Sequence, residues 1–312
     1  MRVFLAGATG VIGRQLVPLL LAEDHAVTGM TRSQERAQAL RELGAAAVVA
    51  DAFDADAVGA AMIAAEPEAV IHQLTALPQR IDPRKPERDF AVNDRLRGEG
   101  TRILVAAAEA AGAGRILAQS IAFNYAPGPP GTVHREEDPL VSHAPPPYER
   151  SAMAIRELEQ SVLGAGGLVL RYGYFYGPGS AMSSDGSMGQ DVRRRRMPIV
   201  GGGDGVWSLI HVQDAARATI AALTHGESGP YNVVDDHPAP VAEWLPAFAR
   251  ALGAPRPMRV PKLIARLAAG SYGVAIMTAA QGASNERAKR ELGWTPLYPS
   301  WHEGFAADLG RD

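Results

Sequence analysis

The stretch Arg2–Ala6, RVFLA, which runs directly into Gly7–Gly13, GATGVIG, decides how this chain is read. Five mostly apolar residues make a short strand, and glycines three residues apart follow it at the entry to a helix expected over Val11–Ala22. The three glycines have separate physical jobs. Gly7 permits a tight turn, Gly10 lets a pyrophosphate approach the backbone, and Gly13 lets helix and strand pack closely. Free N–H groups and the positive end of the helix dipole then face that pyrophosphate. A glycine triplet alone is weak evidence, but one that closes the first strand of an alternating pattern points to a dinucleotide cradle. Gly7, Thr9, Gly10, Val11, Ile12 and Gly13 are expected to form it.

The remainder of the chain can support such a cradle. With 312 residues and 46% hydrophobic content it can bury a full core and carry a smaller lobe beside a large domain. A net charge of −3 gives no general attraction to nucleic acid or anionic membrane, which leaves a small molecule as the expected partner. There is no cysteine, so thiolate metal sites and disulfides are excluded, and a cytoplasmic location is expected. No signal-peptide pattern is seen, and no apolar run approaches the roughly 20 residues of a membrane span.

Outward from the turn, strands expected at His25–Met30, Ala46–Ala50, Ala69–Gln73, Arg115–Gln119 and Leu168–Arg171 alternate with helices at Ser33–Leu43, Asp54–Ala64, Arg88–Ala111 and from Tyr148 onward. Pro18 is expected to kink the first helix. Such alternation predicts an α/β fold, a doubly wound parallel sheet, over residues 1–175, with 206–233 returning to it and 176–312 forming a smaller substrate lobe. The end of the second strand sets cofactor choice. No Asp or Glu lies between Val27 and Gln34, and Arg32 suits the 2′-phosphate of NADP. Asp51 and Ala52 end the third strand within reach of an adenine, and Leu74, Thr75 and Ala76 end the fourth at the edge where open sheets hold ligands.

Between Ile121 and Pro147 lie seven prolines, Gly128 and Gly131, too long a break for a simple connection and therefore a flap on the substrate side. His134, Glu136, Glu137 and Asp138 within it match no metal-ligand spacing and are expected to be solvated; no metal site is expected. The run Arg193–Arg196 would point all round a helix, so it too reads as solvated surface. His211 reads as a hydrogen-bonded structural group.

Six ordered runs carry a resemblance: GATGVIG, VIHQLTAL (70–77), GTRILVAAAEAAGAGRIL (100–117), LRYGYFYGPG (170–179), HVQDAARA (211–218) and ERAKRELGWTP (286–296). Through them the chain resembles the extended short-chain dehydrogenases/reductases, which include nucleotide-sugar epimerases and dehydratases. The resemblance implies a Rossmann fold, a bound nicotinamide cofactor with Gln119 and Tyr174 lining its site, and a dimer paired through the helices at Glu87–Ala111 and Tyr148–Leu163.

The family's usual catalytic set is a Ser or Thr after strand five and a YxxxK on the next helix. Here Tyr148 matches the tyrosine, but Ala152 stands where the lysine belongs. Ile121 takes the hydroxyl position, with Ser120 beside it, and Arg97 takes the place of a helix-face Asn. Oxidising an alcohol needs a tyrosinate that the lysine would help form; reducing a carbonyl needs only a protonated donor. The resemblance and its departures therefore predict an atypical NADPH-dependent reductase of a ketone or quinone, with Tyr148 and Ser120 as candidate donors. An epimerase or dehydratase with a rebuilt relay, or a non-catalytic NADP sensor, are the competing readings.

Overall fold

The computed structural model describes residues 1–82, 84–129 and 131–309. Seven parallel strands form its centre. They are β1 (Arg2–Ala6), β2 (Ala26–Thr31), β3 (Ala46–Val49), β4 (Ala69–His72), β5 (Arg115–Ile121), and the strands Leu168–Tyr172 and Gly229–Val233. The order across the sheet is Gly229–Val233, Leu168–Tyr172, β5, β4, β1, β2, β3. Strand order reverses between β1 and β4, which opens a crevice at their carboxyl ends. These strands are apolar on both sides because helices cover both faces.

One face packs on α1 (Gly13–Ala22), which contributes Leu16, Val17 and Leu20 to a core shared with the helix Val212–Thr224. α2 (Gln34–Glu42) lies on the same face through Leu40, and the other face packs on α3 (Ala55–Ala65), α4 (Pro86–Arg95), α5 (Thr101–Ala110) and α6 (Pro146–Gly164), of which α3, α5 and α6 share its core. Local chemistry sets their starts: the Ser33 side chain accepts a hydrogen bond from the Arg36 amide and Asp54 accepts one from Ala57. Helix α1 begins at Gly13 rather than Val11, and it runs through Pro18 as one element.

Three departures from the sequence expectation bear on function. The long helix expected to Ala111 is two helices joined by a π-turn, Leu96–Gly100. Of the segment 206–233, only Gly229–Val233 joins the main sheet. Val206–Trp207 pairs with Ala239–Pro240 and Leu209–His211 with Tyr174–Tyr176, the chain changing partner at Ser208. The flap is also less free than expected. Val133–His134 pairs with Gly282–Ala283, His134 stacks on Tyr125 at 4.7 Å, and buried Glu136 accepts the Asn232 amide at 2.8 Å. His134 and Glu136 therefore fasten the flap and are not solvated.

A second core, with Tyr176, Trp207, Trp244, Phe248, Trp301 and Phe305, holds the smaller lobe. The helices Ser187–Arg193 and Trp301–Leu309 within it were not anticipated. Only Arg193 of the arginine run is helical; Arg195 turns to φ +56°, which ends the helix before the run can surround it. His211 accepts the Gln213 amide at its own helix start and bonds Asp308 at 2.8 Å, the structural part expected of it. Among the described residues, no helix is long and apolar enough to cross a membrane.

Candidate active site

The turn after β1 is shaped by what its glycines exclude. Gly7 has φ +92°, and a Cβ there would lie 2.6 Å from the Gln73 carbonyl oxygen; at Gly13 it would lie 2.3 Å from that of Gly7. Both are therefore demanded by the fold itself. At Gly10 a Cβ would meet only the Gly7 oxygen, at 3.3 Å, so its bareness serves something outside the chain. Among the described residues the amides of Val11 and Ile12 have no protein acceptor, although neither side chain lines the cavity beside the turn.

That cavity, of about 420 Å³, is lined by Gly7, Thr9, Gly10, Arg32, Asp51, Ala52, Leu74 and Thr75 of the expected set. Ala76 lines an adjoining depression with Arg32. Sequence reading missed Ser33, Arg36 and Gln73, which also line the cavity. The arginine was findable, since it stands one helical turn beyond Arg32 on a helix entering the same edge. Neither guanidinium has a hydrogen-bond or ion-pair partner among the described residues, and two free cations beside an adenosine-sized cavity suit a 2′-phosphate. Asp51 accepts the Phe53 amide at 3.0 Å, and Gln119 donates to the Leu74 carbonyl at 3.2 Å. Open glycine, unpaired amides and free arginines all fit a phosphorylated dinucleotide.

Apart from the cradle, two groups of aromatic rings stack. Tyr148, near the start of α6, stacks on Tyr272 with ring centroids 3.4 Å apart, and Tyr174 is stacked between Phe123 at 4.1 Å and Trp207 at 3.9 Å. Burial, with the neighbouring Tyr272, pushes the Tyr148 phenol up to about 12, so it stays protonated at neutral pH. Ser120 does not join it. Its hydroxyl donates to Glu159 Oε1 at 2.7 Å, and Glu159 is paired through both oxygens with buried Arg171. Glu159 lies eleven residues, about 16 Å, along α6 from Tyr148. Strand alternation turns Ser120 toward that helix, where its hydroxyl is committed to Glu159.

The π-turn is tied to the end of β4. The Leu74 amide donates to His72 Nδ1 at 3.2 Å, so the proton sits on Nε2 and is donated to Thr101 Oγ1 at 3.0 Å, and Thr101 in turn donates to the Leu96 carbonyl. Burial, reinforced by Arg97, holds His72 down at about 4 and hence neutral. Asn93 accepts the Ala76 amide at 3.1 Å while its own Nδ2 is buried without a partner. Ile121 and Arg97 are part-exposed, and Ala152 is buried.

A model of the NAD dependent epimerase/dehydratase family matches residues 3–234. The chain belongs to this family. Across the whole of both chains it is 47% identical to a 3-diazoavenalumate denitrifying reductase of a Streptomyces species. It is 26% identical over 251 residues, 78% of this chain and 71% of the relative, to the 4-hydroxy-2-methyl-3-oxo-4-farnesyl-3,4-dihydroquinoline-1-oxide ketoreductase of Stigmatella aurantiaca. The crystal structure of a human epimerase family protein with NADPH shares the fold, with a TM-score of 0.76 at 20% identity over 100% of each chain. The chain is thus a reductase-type member of the NAD(P)-binding epimerase/dehydratase family, with Ile121 and Ala152 where the resemblance expects a hydroxyl and a lysine.

Proposed function

We propose that this protein is an NADPH-dependent reductase whose acceptor asks little or no proton from the protein. The observation that carries this reading is the pairing of the cradle with an aromatic cluster whose one candidate donor, Tyr148, lacks a lysine and has its pKa raised rather than lowered. When bound, NADPH supplies a hydride. Gly10 and the turn amides would hold its pyrophosphate, Arg32 and Arg36 its 2′-phosphate, and Asp51 its adenine. Ile121 and the stacked tyrosines would keep water from the reacting end of the cofactor.

The acceptor class follows from what that cluster does not provide. An aryl diazonium that takes up hydride leaves as arene and dinitrogen, with no proton asked of the protein. A carbonyl oxygen, by contrast, develops negative charge that must be met. The 47% identical relative supports the diazo reading. A ketone or quinone is the second reading, favoured by a Tyr148 that is protonated and able to donate. Tyrosinate chemistry on an alcohol has no support: with a pKa of about 12, on the order of one phenol in 10⁵ is ionised at pH 7. We further propose a dimer through α4 and α6, on which Val92 and Met153 are exposed apolar side chains.

The test is NADPH carrying deuterium at C4, offered with a diazotised aminocinnamate, a naphthoquinone and a nucleotide sugar. Deuterium at the arene carbon that lost nitrogen is the expected result. Turnover of the nucleotide sugar alone would refute a reductase.

A further inference from the structure

Of the eight histidines, six have a ring nitrogen in a hydrogen bond, His72, His134 and His211 among them. His237 and His302 have none among the described residues. Both turn Nε2 toward the same atom, Oε1 of Glu243, at 3.5 and 3.9 Å. Those separations lie beyond the roughly 2.7 to 3.2 Å of a hydrogen bond. The Glu243 carboxylate accepts no hydrogen bond either among the described residues. All three ligand atoms nevertheless lie within 4.8 Å of one another.

The spacing suits an ion. Bonds of about 2.0 to 2.2 Å to a tetrahedral zinc put neighbouring ligand atoms roughly 3.3 to 3.5 Å apart, so small side-chain rotations complete the geometry. The donors come from three elements, which is why no spacing in the sequence gathers them. His237 lies in the loop after Gly229–Val233, Glu243 in the first turn of the helix Val241–Ala251, and His302 in the first turn of Trp301–Leu309. Their positions are held by other contacts. The His237 amide donates to Asp235 Oδ1 at 3.2 Å, and the adjacent Asp236 amide donates to the Pro299 carbonyl at 2.8 Å. The loop that carries one histidine is thus tied to the approach of the other. The His302 ring stacks on buried Trp301, with centroids 3.5 Å apart. None of the three residues lines the cradle cavity.

We propose that His237, Glu243 and His302 bind a divalent ion of the zinc class, which ties together the starts of two helices of the smaller lobe. Two imidazole nitrogens and one carboxylate oxygen suit zinc over magnesium or calcium, which take oxygen ligands. The three side chains are about half exposed, so the fourth position of the ion is left to water. Trp244, Phe248, Trp301 and Phe305 of the same two helices pack in the core of the lobe, and the ion fastens the outer edge of that contact. Exposure, together with two helix N-termini whose dipoles oppose a cation, puts the affinity at about micromolar rather than nanomolar.

The test is calorimetry with zinc chloride on the chelator-stripped, untagged full chain, beside thermal melts in zinc and in magnesium. One ion per chain is expected, with a Kd of about 1 to 10 μM. Zinc at about a hundredfold excess over Kd should raise the thermal midpoint by about 3 to 6 °C, and magnesium should leave it in place. His237→Gln, His302→Gln and Glu243→Gln should each weaken zinc binding on the order of 10- to 100-fold. Their zinc-free midpoints should stay within about 2 °C of the unaltered protein, which separates loss of a ligand from loss of the fold. Absence of zinc binding in the unaltered protein would overturn the proposal without reference to any variant. So would zinc binding that survives His237→Gln and His302→Gln, which would place the ion elsewhere, or magnesium binding of equal affinity.

Discussion

At the cradle the ligand is met by backbone; at the catalytic positions it is met by side chains. Gly7 and Gly13 are fixed by contacts of 2.6 and 2.3 Å that any side chain would have to occupy, so the turn tolerates no alternative. No such backbone contact is seen at Ile121, Ala152 or Arg97, which stand where the resemblance expects a hydroxyl, a lysine and an asparagine. A site written in backbone geometry survives a change of chemistry, whereas one written in side chains is rewritten by it.

The largest effects should come from the cradle. Gly7→Ala is expected to destabilise the protein and to lose NADPH affinity on the order of 100-fold or more, because the turn itself must move. Gly10→Ala should leave the thermal midpoint of the cofactor-free protein nearly unchanged while still weakening NADPH. If Gly10→Ala melts the fold as Gly7→Ala does, Gly10 is structural and the argument for a ligand there fails.

Next in size is Tyr148→Phe, which probes the rewritten end. With a ketone acceptor the variant should lose on the order of 10²-fold in rate; with an aryl diazonium it should stay within about threefold. Since the phenol titrates at about 12, reduction by the unaltered protein should be flat from pH 6 to 8 in steady-state assays. A rate that climbs across this range would show a base at work and revive the tyrosinate chemistry set aside above. Smaller again is Arg32→Asp, which loses a charge-assisted contact of roughly 1.5 to 3 kcal/mol with a 2′-phosphate. NADPH affinity should fall while NADH affinity does not, and equal affinity of the unaltered protein for both would refute the NADP choice.

The same division explains what could be read from the chain alone. The alternating strands, the switch point and the glycine turn were legible because each follows from periodicity or from backbone sterics. The π-turn was not, since residues 88–111 keep a helical pattern throughout and the interruption depends on the buried His72–Thr101–Leu96 chain from another element. The isolation of Arg97 was hidden too. Its charge is evident in the sequence, but only the tertiary structure shows that it forms no ion pair among the described residues while Glu159 is held by Arg171. Arg36 lies on α2, beyond the strand end that the dinucleotide pattern marks, so no strand signal points to it.

Ser120 gives the smallest effect and the sharpest distinction. Its place at the end of β5 suggests a donor, but its hydroxyl is spent on Glu159, inside a network that continues through Arg171 to Tyr125 and Asn232. Removing Glu159 would leave Arg171 buried without its counter-charge, at a cost of about 3 to 5 kcal/mol. Ser120→Ala leaves that pair whole and removes one hydrogen bond to a charged group, so stability should fall by only about 1 to 2 kcal/mol. Turnover should be unchanged with either acceptor, since the Ser120 hydroxyl is committed to Glu159. Urea unfolding together with steady-state kinetics decides it. A loss of tenfold or more in kcat at unchanged stability would return Ser120 to the reaction and join the two ends of the crevice through β5.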